Sequence, residues 1–217
     1  MRTYGEGCAV AHALDLVGER WALLVVRELL LGPKRFTDLR RGIPNASPNV
    51  LAQRLRELEQ AGIVERRTLP PPAASQVYEL TAWGSELDDV VMSLGRWGVR
   101  SPAPPRDAEV GVDSVILALR TLFDPNAAEE VEGSYELRLG AHRFRAQVRA
   151  RRFEVVPGEA AQPDAIIDTN PGALVALFGG LPLAEALRSG DIEIDGDREM
   201  AERFLGLFSL PAPVATA

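Results

Sequence analysis

The chain reads as an α+β protein in two parts, and three observations carry that expectation. Apolar residues recur at helical spacing through most of residues 8–100, broken by two short runs of strand character at 63–67 and 76–80. A proline-rich stretch, SPAPPR at 101–106, then interrupts the chain. Beyond it the pattern turns to strict alternation, with Tyr135, Leu137 and Leu139 followed by Phe144, Ala146, Val148 and Ala150. With 217 residues, 46% of them hydrophobic, the chain has enough apolar surface for one sizeable core or two small ones. We therefore expect a first domain at 1–100, a linker at 101–107 and a second domain at 108–217.

Taken in order, residues 8–17 predict a short helix and 19–31 a longer one, apolar on most sides and stopped by Gly32 and Pro33. Phe36 to Arg41 predicts a third helix, and the turn at 42–46 leads into the stretch SPNVLAQRLRELEQ. There Ser47 can cap the free N–H groups, and Pro48 suits the first helical position. Leu51, Leu55 and Leu58 fall on one buried stripe, which leaves Asn49, Gln53, Arg56 and Gln60 opposite. Amides can bond adenine edges and guanidinium groups can bond guanine or phosphate, so this face suits a DNA groove. An ordinary amphipathic surface helix would show the same stripe, and the neighbours decide between them. Two short strands, 63–67 and 76–80, flank the loop LPPPAAS at 69–75, whose prolines forbid a central strand. Next to a helix-turn-helix they describe a wing that presents Arg66 and Arg67 to phosphates.

From Thr81 a helix is expected to run to about Val99, with Leu87, Val90, Val91, Leu94 and Trp97 on a stripe that needs a cover. The second half should open with a helix at 108–123. A hairpin follows, turning at Gly140-Ala141, with Arg143, Arg145, Gln147 and Arg149 on its solvated side. Further strands are expected at 164–168 and 192–194, and helices at 170–178, 183–189 and 197–208.

Charge divides the chain. The net is −7, yet residues 1–105 hold 13 basic and 12 acidic groups while 106–217 hold 11 and 19. Within 34–67 there are 8 basic residues against 4 acidic ones, so an acidic partner would be met there and repelled by the second half. Without an apolar run of about 18 residues, or a basic segment leading into an apolar one, we expect neither a membrane span nor a signal peptide, and a cytoplasmic protein. One cysteine, Cys8, and two histidines allow neither an internal disulfide nor a Cys/His zinc cluster. The run Asp191-x-Glu193-x-Asp195-Gly196 has the spacing of a calcium loop, but its alternation with Ile192 and Ile194 is that of a strand. We expect no metal, no cofactor and no catalytic constellation.

The motifs C-x(6)-DLVGERWALLVVREL, RFTDLRRGIP, SPNVLAQRLRELEQAGIVERR and YELTAWG occur together and in order over residues 8–98. They resemble the HxlR family of bacterial winged helix-turn-helix transcription regulators. Ala9 departs from that pattern, since a proline usually follows the cysteine, and the wing is unusually proline-rich. The resemblance implies a homodimer that binds double-stranded DNA through Thr37, Ser47, Pro48, Asn49, Gln53, Arg54, Arg56, Arg66 and Arg67. It implies a repressor before an activator. It also draws attention to Cys8, which in some relatives responds to oxidants or electrophiles. The pattern PDAIIDTNPGALVALFGG…PLAEALRSGDIEIDGDREMAERFLGLF resembles sterol-carrier-protein-2-like (SCP2-like) domains, an α/β-sandwich with an apolar cavity, over residues 108–210. By that resemblance Phe144, Phe153, Leu174, Phe178, Phe204 and Phe208 would line a cavity for an apolar small-molecule effector. Two rival functions stand beside this: a lipid or sterol carrier that keeps the winged domain only to dimerise, and a regulator that senses redox state through Cys8.

Overall fold

The structure is a computed structural model that describes residues 3–72, 74–102 and 110–215. It divides into two compact units, Met1–Val91 and Met92–Ala217. Most of the expected linker, and Ala108 and Glu109 at the expected start of the second domain, lie outside the described residues.

The first unit begins with α1 (Ala9–Val17), α2 (Ala22–Leu29), α3 (Phe36–Gly42) and α4 (Pro48–Gln60). The strands β1 (Val64–Thr68) and β2 (Gln76–Leu80) follow as an antiparallel pair with Arg66 opposite Tyr78. Lys34 joins that pair through two backbone bonds to Tyr78. Val25, Val26, Leu29, Leu39, Leu51, Leu55, Leu58 and Ile63 form the core. The expected long helix at 19–31 starts late, because Trp21 sits at a positive φ of 80° and Ala22 is the first helical residue. The expected helix from Thr81 to Val99 is in fact two, α5 (Ala82–Ser85) and α6 (Leu87–Gly98). Thr81 caps the first by accepting from the Gly84 N–H, and Gly84 lies so close to the Ile63 carbonyl that a Cβ there would stand 2.0 Å from its oxygen. Glycine thus lets α5 dock on the chain entering β1.

One buried carboxylate holds this unit together. Glu28 is 1% exposed and pairs with Arg27 and Lys34, each at 2.7 Å. Arg27 also donates to the Gly42 carbonyl at the end of α3, where any side chain would run into the Glu28 carboxylate. Helix α2, the end of α3 and the wing are therefore tied at one point.

The second unit contains α7 (Val112–Leu122), β3 (Gly133–Leu139), β4 (His142–Arg149), β5 (Arg152–Pro157), β6 (Ala165–Thr169), α8 (Pro171–Phe178), α9 (Leu183–Ser189), β7 (Ile192–Gly196) and α10 (Arg198–Leu205). The sheet order is β5-β4-β3-β6-β7, with β3 and β6 parallel and the other neighbours antiparallel. Tyr135, Leu137, Leu139, Phe144, Ala146, Val148 and Ile167 bury one face, as their alternation predicts. Strand β5 is absent from the sequence expectation. Its turn places Ala150 and Arg151 at φ 48° and 59°, positions that glycine or asparagine usually fills, so nothing in the residue types announces it.

Glu136 points to the other face of the sheet yet is only 4% exposed. The connection from β5 to β6 runs over it, and the carboxylate accepts from the Ala160 N–H at 2.9 Å and from Arg138 at 2.7 Å. Burial pushes its pKa up, but those bonds and the charges of Arg138 and Arg143 outweigh burial and hold the carboxyl below its usual range.

Candidate nucleic-acid interface

Helix α4 is built as its residues require. Ser47 accepts from the Val50 N–H at 3.4 Å, Pro48 takes the first turn, and Leu51, Leu55 and Leu58 are buried. Asn49, Gln53, Arg56 and Gln60 are exposed on the opposite side, and Thr37 is exposed on α3. The face is not a set of free groups. Arg56 donates to the Gln53 carbonyl oxygen at 2.6 Å, and the Gln53 amide donates to Glu57 at 2.7 Å. Glu57 also pairs with Arg54, which reaches Glu19 at 3.8 Å and is only 13% exposed. Arg54 is thus turned into the protein, whereas Arg56 stands outward.

The wing shows the same construction. Arg66 holds Glu59 of α4 through two bonds, of 2.6 and 2.8 Å, and its guanidinium lies 5.5 Å from the Tyr78 ring centroid. The hydrogen bond to Glu59, with the nearby Tyr78, pushes the Arg66 pKa further up, so its charge is fixed at any pH of interest. Arg67 pairs with Glu79 at 2.8 Å. Acidic partners therefore orient the basic groups, a feature the count of charges along the sequence misses. The signal was available on α4 alone, where Gln53 and Glu57, and Arg54 and Glu57, stand four and three residues apart.

The stripe expected to need a cover is divided: Leu87 and Val91 are partly buried against the core of the first unit, and the remainder is open. Val90, Leu94 and Trp97 of α6 are 49%, 50% and 77% exposed, and Val10 and Leu14 of α1 are also exposed. Cys8 precedes α1 and is exposed. The backbone N–H groups of Ala11 and Val10 interact with its sulfur and hold the thiol below its usual range, against a small opposing push from burial.

In the second unit, Phe153, Phe178, Phe204 and Phe208 come together with Phe123. Ring centroids stand 5.1 Å apart for Phe204 and Phe208, 5.2 Å for Phe153 and Phe208, and 5.5 Å for Phe123 and Phe153. Leu174 is fully buried, while Phe144 stacks on His142. These side chains are packed against one another as a core. The run from Asp191 to Gly196 is strand β7 with its preceding residue, and among the described residues no group of three or more His, Cys, Asp or Glu is placed to hold a metal ion. No helix of the described residues is long and apolar enough to cross a membrane.

A helix-turn-helix followed by a two-stranded wing, with amides and Arg56 on the outward face of its second helix, defines a DNA-binding regulator. Comparison with known proteins agrees. The HxlR-like helix-turn-helix model matches residues 16–104, and the SCP-2 sterol transfer family model matches residues 117–209. The HTH-type transcriptional regulator YodB of Bacillus subtilis (strain 168) is 42% identical over 85 residues, which are 39% of this chain and 76% of that protein. The uncharacterised HTH-type transcriptional regulator YybR of the same organism is 36% identical over 93 residues, 43% of this chain and 74% of the relative. A solved structure, the reduced form of YodB from B. subtilis, is 37% identical and covers 46% of this chain and 100% of its own, with a TM-score of 0.40. The chain belongs to the HxlR-like helix-turn-helix family, as a transcription regulator that carries an SCP2 region behind its helix-turn-helix.

Proposed function

We propose that the chain is a homodimeric repressor whose DNA affinity is set by an apolar small molecule held in the domain at 108–217. The domain at 1–100 places α4 in the major groove, with Asn49, Gln53 and Arg56 at base edges and Arg66 and Arg67 of the wing on phosphates. The observation that carries this reading is the outward face of α4: polar, arginine-bearing and braced by Glu57 and Glu59, behind a helix-turn-helix of the family just described. The open apolar stripe of α6, with Val10 and Leu14, favours a second copy over a bare surface. The SCP2 match and the aromatic core of the second unit favour an apolar effector. Such an effector changes DNA affinity only if it binds two dimer states unequally, so operator and effector alter each other's binding by the same factor, each weakening the other if the effector is an inducer.

The test compares the full chain with one ending near Ser101 in operator binding, with and without an apolar ligand. Both dimerise and bind operator, and only the full chain responds to the ligand. Loss of dimerisation on truncation, or a full chain indifferent to every apolar ligand, overturns the reading. A lowered Cys8 thiol supports a second reading, control by oxidation. Peroxide that abolishes operator binding in the wild type and leaves a Cys8→Ser variant bound would put that reading first. The carrier reading, in which the winged domain only dimerises, gains support only if the full chain binds the apolar ligand and shows no operator preference.

A further inference from the structure

The core of the second unit contains a buried side-chain oxygen with nothing to bond among the described residues. Tyr135 is 0% exposed, its ring stacks on Phe204 at 4.2 Å, and its hydroxyl has no hydrogen-bond partner among the described residues. A phenylalanine would give the same packing without stripping a hydroxyl of water, so the hydroxyl calls for a function.

Its position suggests one. Val131, Gly133 and Tyr135 follow in steps of two along the approach to β3 and its first residues. Met200, Arg203 and Leu207 follow in steps of three and four along α10 and its end. A Cβ on Gly133 would stand 2.7 Å from both the Tyr135 hydroxyl and the Met200 methyl, so these two groups meet over the backbone at 133, where only glycine leaves them room. Farther along the same two segments lies a pocket of about 390 Å³, lined by Val131, Arg203 and Leu207 with Glu129 and Glu130. One residue step on each element separates that pocket from the hydroxyl, and the side chain in between is Met200, half-buried and unbranched, which a ligand would have to turn aside.

Charge selects the ligand. Burial, and after it the charge of Asp164, raises the Tyr135 pKa, with Asp197 adding to this and Arg203 opposing, so the hydroxyl stays a donor. Glu129 and Glu130 flank the mouth, and the Arg203 guanidinium already donates to the Glu130 carbonyl. A carboxylate entering here meets Glu129 and Glu130 at the mouth and an arginine that is already engaged, while Asp164 and Asp197 act on the hydroxyl with the same sign. We propose that the Tyr135 hydroxyl is the polar anchor of a ligand site entered through the Val131/Arg203/Leu207 pocket, and that its ligand is a neutral apolar molecule with one accepting oxygen, a ketone or ester rather than a fatty-acid anion. The inference rests on the reading that this domain binds an apolar ligand, and adds to it the class of ligand and the residue that fixes it.

The experiment titrates the full chain with Nile red and displaces it with methyl decanoate or with decanoate, in the wild type and in Tyr135→Phe. The ester displaces the dye at least tenfold more effectively than the anion from the wild type. The Tyr135→Phe variant binds the ester about five- to tenfold more weakly, the worth of one hydrogen bond in a dry site, and melts at or above the wild-type temperature. Unchanged ester affinity in the variant overturns the anchor, and so does a clear drop in its melting temperature, which would mean that the hydroxyl has a partner in the free protein. Equal affinity for decanoate overturns the choice of a neutral ligand. If neither dye nor ester binds the wild type, the apolar-ligand reading itself falls and takes this inference with it.

Discussion

The two units keep their functional groups in opposite ways. On α4 and the wing Asn49, Gln53, Arg56, Arg66 and Arg67 are in water already, and acidic neighbours hold three of them in place: Glu57 for Gln53, Glu59 for Arg66 and Glu79 for Arg67. In the second unit the corresponding surface is inside, an aromatic cluster in which Phe204 and Tyr135 are fully buried. A partner of the first unit finds its contacts displayed and needs only to displace water and a few surface ion pairs. A partner of the second has to move side chains first. Binding to the first should therefore be fast and strongly salt-dependent, and binding to the second slow and insensitive to salt.

The comparison is broken most severely at the buried carboxylates. Replacing Glu28 with Ala removes the buried carboxylate that Arg27 and Lys34 share and loosens α2 from the end of α3, at a cost of about 3 kcal/mol in the unfolding of the first unit. Urea titration followed by tryptophan fluorescence in a chain that keeps Trp21 and carries Trp83→Phe and Trp97→Phe reads it, and DNA binding falls with the folded fraction. If DNA binding survives undiminished while stability drops, the tie does not position α4. Replacing Glu136 with Gln acts on the second unit alone, at about 1–2 kcal/mol, since the amide keeps one acceptor for Arg138 or Ala160 and loses the charge. This group also gives a pH window. Its folded pKa is lowered, so its contribution is complete above the ordinary carboxylate value of about 4.3 and is lost as pH falls through the lower, folded value. Thermal melts between neutral pH and about pH 3 should show a drop in wild type that is smaller in Glu136→Gln.

Effects at the interface itself are more selective. Asn49→Ala or Gln53→Ala should each cost about 1–3 kcal/mol on operator and little on scrambled duplex. Arg66→Ala should weaken both alike and lower the salt slope by about one. Isotherms at several salt concentrations separate the two cases, and unchanged discrimination in both amide variants would remove α4 from the reading helix. The smallest effect is expected from Glu57→Gln. It loosens Gln53 and Arg54 together, raising affinity for any duplex slightly while blunting preference among sequences, and an unaltered preference would show that Glu57 orients nothing.

How much of this was legible beforehand follows the same division. The α4 stripe, its cap and the wing are local patterns, and Leu51, Leu55, Leu58, Ser47 and Arg66 stand where spacing put them. The docking of α5 was hidden because it depends on Gly84 meeting the Ile63 carbonyl, far away in the sequence. Strand β5 was hidden because its turn uses Ala150 and Arg151 in a conformation their residue types do not favour. Burial of Glu28 and Glu136 was equally invisible, since each lies in a stretch where a charged residue reads as solvated and only the tertiary partners say otherwise. The inward turn of Arg54 is a case between, announced by its spacing to Glu57 but settled by Glu19.

The ends of the five-stranded sheet have a further consequence. Strand β5 leaves one row of backbone groups unmatched and β7 the other, which in a small protein invites a neighbouring chain to add a strand. Strand β7 guards itself with Glu193 and Asp195, both exposed, so a second β7 approaching it would bring acid against acid. Strand β5 closes on Pro157 and carries Arg152 and Glu154 outward. In a crowded solution these charges and the proline oppose fibre-like growth of the sheet.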